Sequence, residues 1–194
     1  DWSSDVCSSD LWADVEAGRL VVGTVDTYLV ARLTNGAAHV TDATNASRTQ
    51  LLDLRSAQWD DDLLDLFQVP RSSLPEVVPS MGVLASTDPW AFLGLSLPVA
   101  GIAGDQQAAL FGQTCFDEGD AKCTYGTGAF ILMNTGTAIV PSEHGLLTTI
   151  ALQSDNDRLT YALEGSVFVA GAAVQWLRDG LGIIRRADDV EELA

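Results

Sequence analysis

The chain has 194 residues and a formal net charge of −17, which arises from 27 acidic and only 10 basic residues. So acidic a protein repels phosphate backbones and anionic lipids, and we therefore expect no nucleic-acid partner and no membrane partner. Hydrophobic residues make up 47% of the chain and charged residues 19%, which is typical of a folded globular protein. The length allows one sizeable domain or parts of two.

The sequence lacks the common short motifs for nucleotide and metal binding. Lys122 is its one lysine, and no G-x-x-x-x-G-K-[ST] phosphate loop surrounds it. The three cysteines form no C-x-x-C pair, which argues against a zinc site or a disulfide framework and favours a reduced, cytoplasmic location. Cys115 and Cys123 have apolar sequence neighbours, which predicts that both are buried. We assign no residue as a metal ligand.

The first residues differ from the rest of the chain. Residues 1–11 contain Ser-Ser-Asp twice and show neither helical nor strand periodicity. They resemble a translated adaptor sequence, and we expect residues 1–17 to be a non-native or assembly-artefact leader followed by a short linker. We exclude them from the prediction of the fold.

From residue 18 onward, strands and helices alternate. Thr24 is placed to cap a helix that ends at Asn35-Gly36, and Asp60 to Asp62 open a second helix, where acidic side chains favour the positive end of the helix dipole. The further predictions for this part of the chain are strands over 39–41, 51–54 and 97–102, a polar connection over 42–48, an irregular stretch over 70–79, and a helix that follows Ala103-Gly104.

The second part of the chain predicts a sheet and a long helix. Strands over 123–125 and 129–133 are joined by Gly126-Thr127-Gly128, a glycine-rich hairpin turn, and strands over 147–152 and 158–163 continue the sheet. Ser166 is placed to cap a helix that ends at Gly180. The result is an α/β protein, with a boundary between two α/β lobes near residues 116–120.

Asp105 and Gln106 are candidates for chemistry on a hydroxyl group. They follow an apolar strand and open a helix, and ligands of open α/β sheets bind at such strand ends. Aspartate is ionised at neutral pH and accepts a proton, while a glutamine side chain both donates and accepts hydrogen bonds. The alternative is that Asp105 only caps the helix, and the local sequence leaves the two possibilities open.

Four further residues have two readings each. Thr127 lies in a turn whose glycines allow close approach of a phosphate, but an ordinary hairpin uses the same residues. Phe130 is either a core aromatic or an apolar wall for a substrate. Gly171 and Gln175 are four residues apart on one helix face, which suits a nucleotide, although helix packing explains Gly171 equally well.

An ordered set of motifs resembles the glycerol kinases of the FGGY carbohydrate kinase family. It covers most of residues 18–182 in the family's order and with nearly its spacing, as GTVDT at 23–27, HVTD at 39–42, NASRT at 45–49, GIAGDQQAALFG at 101–112, TYGTG at 124–128, GLLTTI at 145–150 and YALEGSVFVAGAAVQWLRD at 161–179. The fold that the resemblance implies is the actin-like, ribonuclease-H-like pair of α/β lobes. Residues 18–115 would be the end of the first lobe and residues 116–194 the start of the second.

The resemblance also implies an activity and a role for each candidate. The parent protein would transfer phosphate from ATP to glycerol, with Mg²⁺, giving sn-glycerol 3-phosphate and ADP. Asp105 would be the catalytic base and contact glycerol together with Gln106 and Phe130. The nucleotide would lie against Thr127, Gly171 and Gln175.

The sequence also departs from the family pattern. The family's Asp-Gln-Gly-Thr-Thr phosphate loop, its Arg-Glu glycerol clamp and its later glycine-rich adenine loop have no counterpart, and Tyr28 stands where the family usually has Trp. We therefore expect an internal fragment that is inactive and marginally stable by itself. The alternatives are a related kinase for another polyol or ketose, and a non-catalytic truncated chain. Whether the full-length protein is a homo-oligomer stays open.

Overall fold

The computed structural model describes residues 9–154, 156 and 158–193, which divide into two units. Unit 1 contains the described residues up to Gly104 and those of the segment Leu152–Leu159. Unit 2 begins at Asp105, runs to Ala151 and resumes at Thr160. Both units mix helices and strands. The helices are α1 (Ser9–Glu16), α2 (Val25–Leu33), α3 (Ala43–Ala46), α4 (Asp61–Phe67), α5 (Asp105–Gly112), α6 (Gly171–Asp179) and α7 (Asp189–Leu193).

The strands pair within four small sheets. They are β1 (Val40–Asp42), β2 (Leu52–Asp53), β3 (Gln58–Trp59), β4 (Glu76–Val78), β5 (Met81–Ser86), β6 (Pro98–Gly101), β7 (Ala121–Tyr125), β8 (Ala129–Asn134), β9 (Leu147–Gln153) and β10 (Leu159–Val167). In unit 1, β1 pairs with β4 in parallel, while β2–β3 and β5–β6 are antiparallel. The sheet that contains β7 to β10 has the order β7-β8-β10-β9.

Helices α2 and α4 confirm the sequence prediction, and their starts differ in one respect. The Asp60 carboxylate accepts a hydrogen bond from the Leu63 backbone N–H at 3.0 Å, so this aspartate caps α4. Thr24 stands at the N-cap of α2 but makes no side-chain cap bond. Its hydroxyl lies instead 3.1 Å from the Thr41 hydroxyl, which donates to Asp26 at 2.8 Å.

The predicted polar connection over 42–48 is wrong, because residues 43–46 form α3. Asp42 caps this short helix, and its carboxylate accepts from the backbone N–H groups of Thr44 and Asn45, each at 3.0 Å. The Ser80 hydroxyl donates to the same carboxylate at 2.6 Å. Asp42 is fully buried. A buried carboxylate is retained only where donors surround it, and the local sequence did not reveal the distant one, Ser80.

The predicted irregular stretch over 70–79 contains strand β4, and strand β5 follows directly after it. The prolines at 70, 75 and 79 suggested a chain without regular structure, yet β4 lies between the last two and pairs with β1. Strand β5 follows, with a register irregularity where it pairs with β6. A three-residue strand provides too little periodicity to be recognised, and its pairing is set by the partner strand.

Unit 2 has its core between α5 and one face of its sheet. The buried cluster contains Leu110 of α5, Leu132 of β8 and Ala162 of β10, together with Cys115 and Ala151. Side chains alternate along a strand, so Phe130, Leu132 and Asn134 share the face that α5 covers. The hairpin β7–β8 and the strands β9 and β10 confirm the sequence prediction.

Three local predictions need correction. Helix α6 begins at Gly171, and Ser166 belongs to β10, where it pairs with Phe130. Cys123 is exposed, whereas Cys115 is buried as predicted. Residues 9–11, which showed no periodicity, are the start of α1. The leader prediction for residues 1–8 lies outside the described part of the chain.

Helix lengths bear on membrane insertion. Among the described residues, no helix combines the length and the apolar character that crossing a bilayer requires.

The Asp42 network supports a stability prediction for a full-length protein that carries this chain. We expect Asp42→Ala to lower the free energy of unfolding by about 3 kcal/mol or more, because it leaves several buried donors without an acceptor. Urea denaturation measures the change. Asp53→Ala is the matched control: the Asp53 carboxylate accepts from the backbone of Arg55 and Ser56, and the bond from Arg55 lowers the pKa of Asp53, but these groups are solvent-exposed. Water replaces the lost acceptor there, so equal losses in the two variants would contradict the prediction.

Candidate active site

Asp105 is the first residue of α5 and does not cap it. Its side chain is exposed. Among the described residues, its carboxylate accepts one hydrogen bond, from the Gln106 side-chain Nε2 at 2.9 Å, and none from the backbone of the helix. The alternative that Asp105 serves only as an N-cap is therefore not what the structure shows. The carboxylate is left with acceptor capacity toward solvent, at the helix end whose dipole favours negative charge.

Gln106 is held in place by Lys122, which the sequence analysis did not identify as a site residue. The Lys122 ammonium donates to Gln106 Oε1 and, at 2.8 Å, to the Thr124 hydroxyl. Because Lys122 contacts the amide oxygen, the Gln106 NH₂ group is directed to the Asp105 carboxylate. One signal in the sequence could have identified Lys122. It is the single lysine of the chain, and it lies two residues before Thr124, on the same face of the strand that leads into the glycine-rich turn.

Lys122 is buried, with 6% of its surface exposed. Strand register places Lys122 and Glu164 on either side of Leu132, one on β7 and the other on β10. Glu164 is 3% exposed. Burial lowers the pKa of Lys122, and the carboxylates of Asp105 and Glu164 oppose that shift. The site thus contains a buried cation whose charge is balanced by two carboxylates.

Phe130 lies two cross-strand pairs closer to the turn than Leu132, on the same face of the sheet. It pairs with Thr124 on one side and with Ser166 on the other, and it is half-buried. The hydroxyl of Ser166 donates to Glu164 Oε1 at 3.3 Å. The structure therefore brings Asp105, Gln106 and Phe130 into one neighbourhood, in which Lys122 and Thr124 are the connecting side chains.

The turn at 126–128 packs directly against the start of α6. Gly171 N–H donates to the Gly126 carbonyl at 2.9 Å, and the Thr127 carbonyl accepts from the N–H groups of Ala170 and Ala172. A Cβ on Gly171 would lie 2.4 Å from the Gly126 oxygen. Helix packing therefore requires a glycine at position 171, whatever ligand binds there.

Thr127 and Gln175 both face solvent. Neither the Thr127 hydroxyl nor its backbone N–H finds an acceptor among the described residues, so two donors remain free in the turn. Gln175 is exposed one turn after Gly171, and its side chain hydrogen-bonds Asp179. Turn and helix are thus joined through backbone bonds, and Thr124 links them along β7 to the Gln106 neighbourhood.

Comparison with known proteins matches nearly the whole chain to two family models. Residues 10–112 match the N-terminal domain of the FGGY family of carbohydrate kinases, and residues 121–194 match the C-terminal domain of the same family. The intervening residues 113–120 connect α5 to β7.

Several of the most similar relatives are glycerol kinases. The chain is 59% identical over 179 residues to glycerol kinase from Geobacillus kaustophilus, and the aligned segment covers 92% of this chain and 36% of that protein. The structure of this chain superposes on that of Plasmodium falciparum glycerol kinase with ADP with a TM-score of 0.89 and 39% sequence identity. This superposition covers 97% of this chain and 37% of the other. Xylulose kinase from Rhodospirillum rubrum gives a TM-score of 0.74 at 25% identity, covering 94% and 38%.

These matches confirm the expected α/β fold class, that of the actin-like FGGY kinases. The chain spans about a third of the length of the relatives it matches.

Gly171 supports a prediction that separates packing from ligand contact. We expect Gly171→Ala to lower the free energy of unfolding by roughly 1–3 kcal/mol, because the new methyl group must displace the Gly126 carbonyl. Gly112→Ala, at the end of α5, is the matched control, since a Cβ there meets nothing within 4 Å and alanine favours a helix. Denaturant unfolding of the two full-length variants makes the comparison. If the two substitutions change the free energy of unfolding equally, the close contact with Gly126 is not the reason that position 171 needs a glycine.

Proposed function

Because the chain belongs to the FGGY family of carbohydrate kinases, we propose that the protein carrying it transfers the γ-phosphoryl group of ATP to glycerol. The products are sn-glycerol 3-phosphate and ADP. The observation that carries the proposal is the 59% identity to glycerol kinase over 92% of the chain, a stretch that includes α5 and the β7–β8 turn. The much lower identity to xylulose kinase, 25%, disfavours a pentulose as the substrate.

Asp105 is the proposed catalytic base. Its exposed carboxylate takes the proton of the glycerol hydroxyl as the hydroxyl oxygen attacks the γ-phosphorus. The bond between the γ-phosphorus and the β,γ-bridging oxygen breaks, and ADP leaves with that oxygen. The single hydrogen bond that the carboxylate accepts from Gln106 leaves lone pairs available for the proton.

Gln106 and Phe130 are the proposed glycerol contacts. The NH₂ group of Gln106 has one hydrogen on Asp105 and a second available for a substrate oxygen. Phe130 is partly exposed, and its ring offers an apolar surface to the carbon chain. A polar group and an apolar surface on neighbouring elements match a polyol, which has hydroxyl groups on one side and C–H groups on the other.

The nucleotide is the proposed ligand of Thr127, Gly171 and Gln175. The free hydroxyl and N–H of Thr127 are suitable donors to a phosphate, and the glycine at position 171 lets the start of α6 pack against the turn that carries them. Among the described residues, no group of three or more His, Cys, Asp or Glu side chains is arranged to hold a metal. Mg²⁺ is bound mainly by nucleotide phosphates and water in kinases, so we assign no residue of this chain to it.

Three further features belong to the same proposal. The boundary between the family's two domains lies between residues 115 and 116, in the connection between α5 and β7. The enzyme works in the cytoplasm, in keeping with free thiols at Cys115 and Cys123. Residues 10–17 match the N-terminal domain, so the leader outside the catalytic domain pair is limited to residues 1–9.

The base assignment predicts the behaviour of a full-length protein carrying this chain. Asp105→Asn should lower kcat for glycerol phosphorylation about 10²–10⁴-fold, because asparagine cannot accept the proton, and it should leave the folded state intact. A coupled assay that detects ADP measures the rate. Asp117→Asn removes an exposed carboxylate of unit 2 outside the site and should leave kcat unchanged. Near-normal turnover of the Asp105 variant would refute the assignment, and faster turnover of xylulose than of glycerol by the wild type would refute the substrate.

A further inference from the structure

Lys122 is a buried cation that the proposed mechanism does not use. Its ammonium group lies beneath the start of α5, in contact with Gln106 Oε1 and Thr124 Oγ1. Desolvation makes a buried ammonium costly, and a hydrophobic residue at the same place is often neutral or stabilising. A lysine here therefore calls for an explanation beyond packing.

Hydrogen-bond polarity provides the explanation. Lysine has three donors and no acceptor, so it can face only the oxygen of the Gln106 amide. The amide nitrogen is then turned the other way, where one N–H meets Asp105 Oδ2 at 2.9 Å. Without the ammonium, the amide orientation would depend on the single bond to Asp105, because the two ends of the amide are nearly equal in shape.

We propose that Lys122 is a positioning residue that fixes Gln106 with its NH₂ group toward Asp105 and the substrate hydroxyl. The proposal rests on the proposed function and extends it. With Gln106 held as a donor only, a bound hydroxyl must accept from Gln106, and its own proton is directed to Asp105. The direction of proton transfer is thus determined by a side chain that does not touch the substrate.

Glu164 and Thr124 also interact with the ammonium group of Lys122. Strand register places Glu164 across Leu132 from Lys122, and its carboxylate favours the charged lysine. Thr124 accepts from the same ammonium at 2.8 Å. An ion pair between Lys122 and Glu164 alone would stabilise the sheet without any effect on Gln106, and this is the competing explanation that an experiment must separate.

A double-mutant cycle in the full-length enzyme separates the two. Lys122→Met and Gln106→Ala should each raise the KM for glycerol about 10–100-fold, the range for loss of a hydrogen bond to a charged group, with the KM for ATP unchanged. If Lys122 acts through Gln106, the KM of the double variant for glycerol should be no higher than that of Gln106→Ala. Fully additive effects, or equal changes in both KM values, would overturn the proposal.

Two further variants separate the proposed effect from misfolding. Lys122→Gln keeps a donor of similar length without the charge, and it should raise the KM for glycerol less than Lys122→Met does. If thermal unfolding shows that the Lys122→Met variant is not folded, Lys122→Gln replaces it in the cycle. Cys123→Ser changes the next residue of β7, which is exposed, and should leave both KM values unchanged. A Lys122→Gln variant whose KM for glycerol is as high as that of Lys122→Met would also overturn the proposal, because a retained donor would then make no difference.

The wild-type arm distinguishes this inference from the proposed function. If the wild-type enzyme does not phosphorylate glycerol, the proposed function is wrong and the inference falls with it. If the wild type is active and the cycle is additive, only the role of Lys122 is wrong.

Discussion

The burial of one ammonium group determines how the polar part of unit 2 is arranged. Lys122 is 6% exposed, and an ammonium group removed from water needs hydrogen-bond acceptors of the protein in place of water molecules. Gln106 and Thr124 provide these acceptors, and the carboxylates of Asp105 and Glu164 balance the charge. Each of these residues is therefore constrained in position by the same group. The apolar part of the sheet face packs under α5, and Leu132 at its centre is the cross-strand neighbour of Lys122.

The second constraint is the close contact of two backbones at the glycine-rich turn. Residues 126–128 and the start of α6 approach so closely that the carbonyls of Gly126 and Thr127 accept three N–H groups from residues 170–172. A Cβ on Gly128 would lie 2.6 Å from the Val167 carbonyl, just as one on Gly171 would meet Gly126. Both glycines are thus accounted for by packing. The same packing leaves the donors of Thr127 directed to solvent, so a structural role and a phosphate-binding role are compatible in one turn.

Unit 1 depends on a buried charge of the opposite sign. The Asp42 carboxylate caps α3 and accepts from Ser80, whose backbone N–H and C=O in turn bond Gln153 and Ile102. Thr44 donates to Asp42 and accepts from the Gly104 N–H at 2.8 Å. The Asp42 carboxylate therefore connects three segments: the start of α3, Ser80 between β4 and β5, and, through Thr44, Gly104 before α5. As with Lys122, a group that is costly to bury is retained where its partners come from several segments.

The sequence by itself determined the α/β class, most of the elements and the candidate residues Asp105, Gln106, Thr127, Phe130, Gly171 and Gln175. Those conclusions rest on periodicity, turn residues and ordered motifs, all of which are local. Tertiary structure decided what local patterns leave open. It showed that Asp105 is not a helix cap, that α6 begins at Gly171, and that β4 forms despite its flanking prolines. It alone revealed Lys122, because the partners of a buried charge lie 16 residues away on α5 and across two strands, and no short window of sequence contains them.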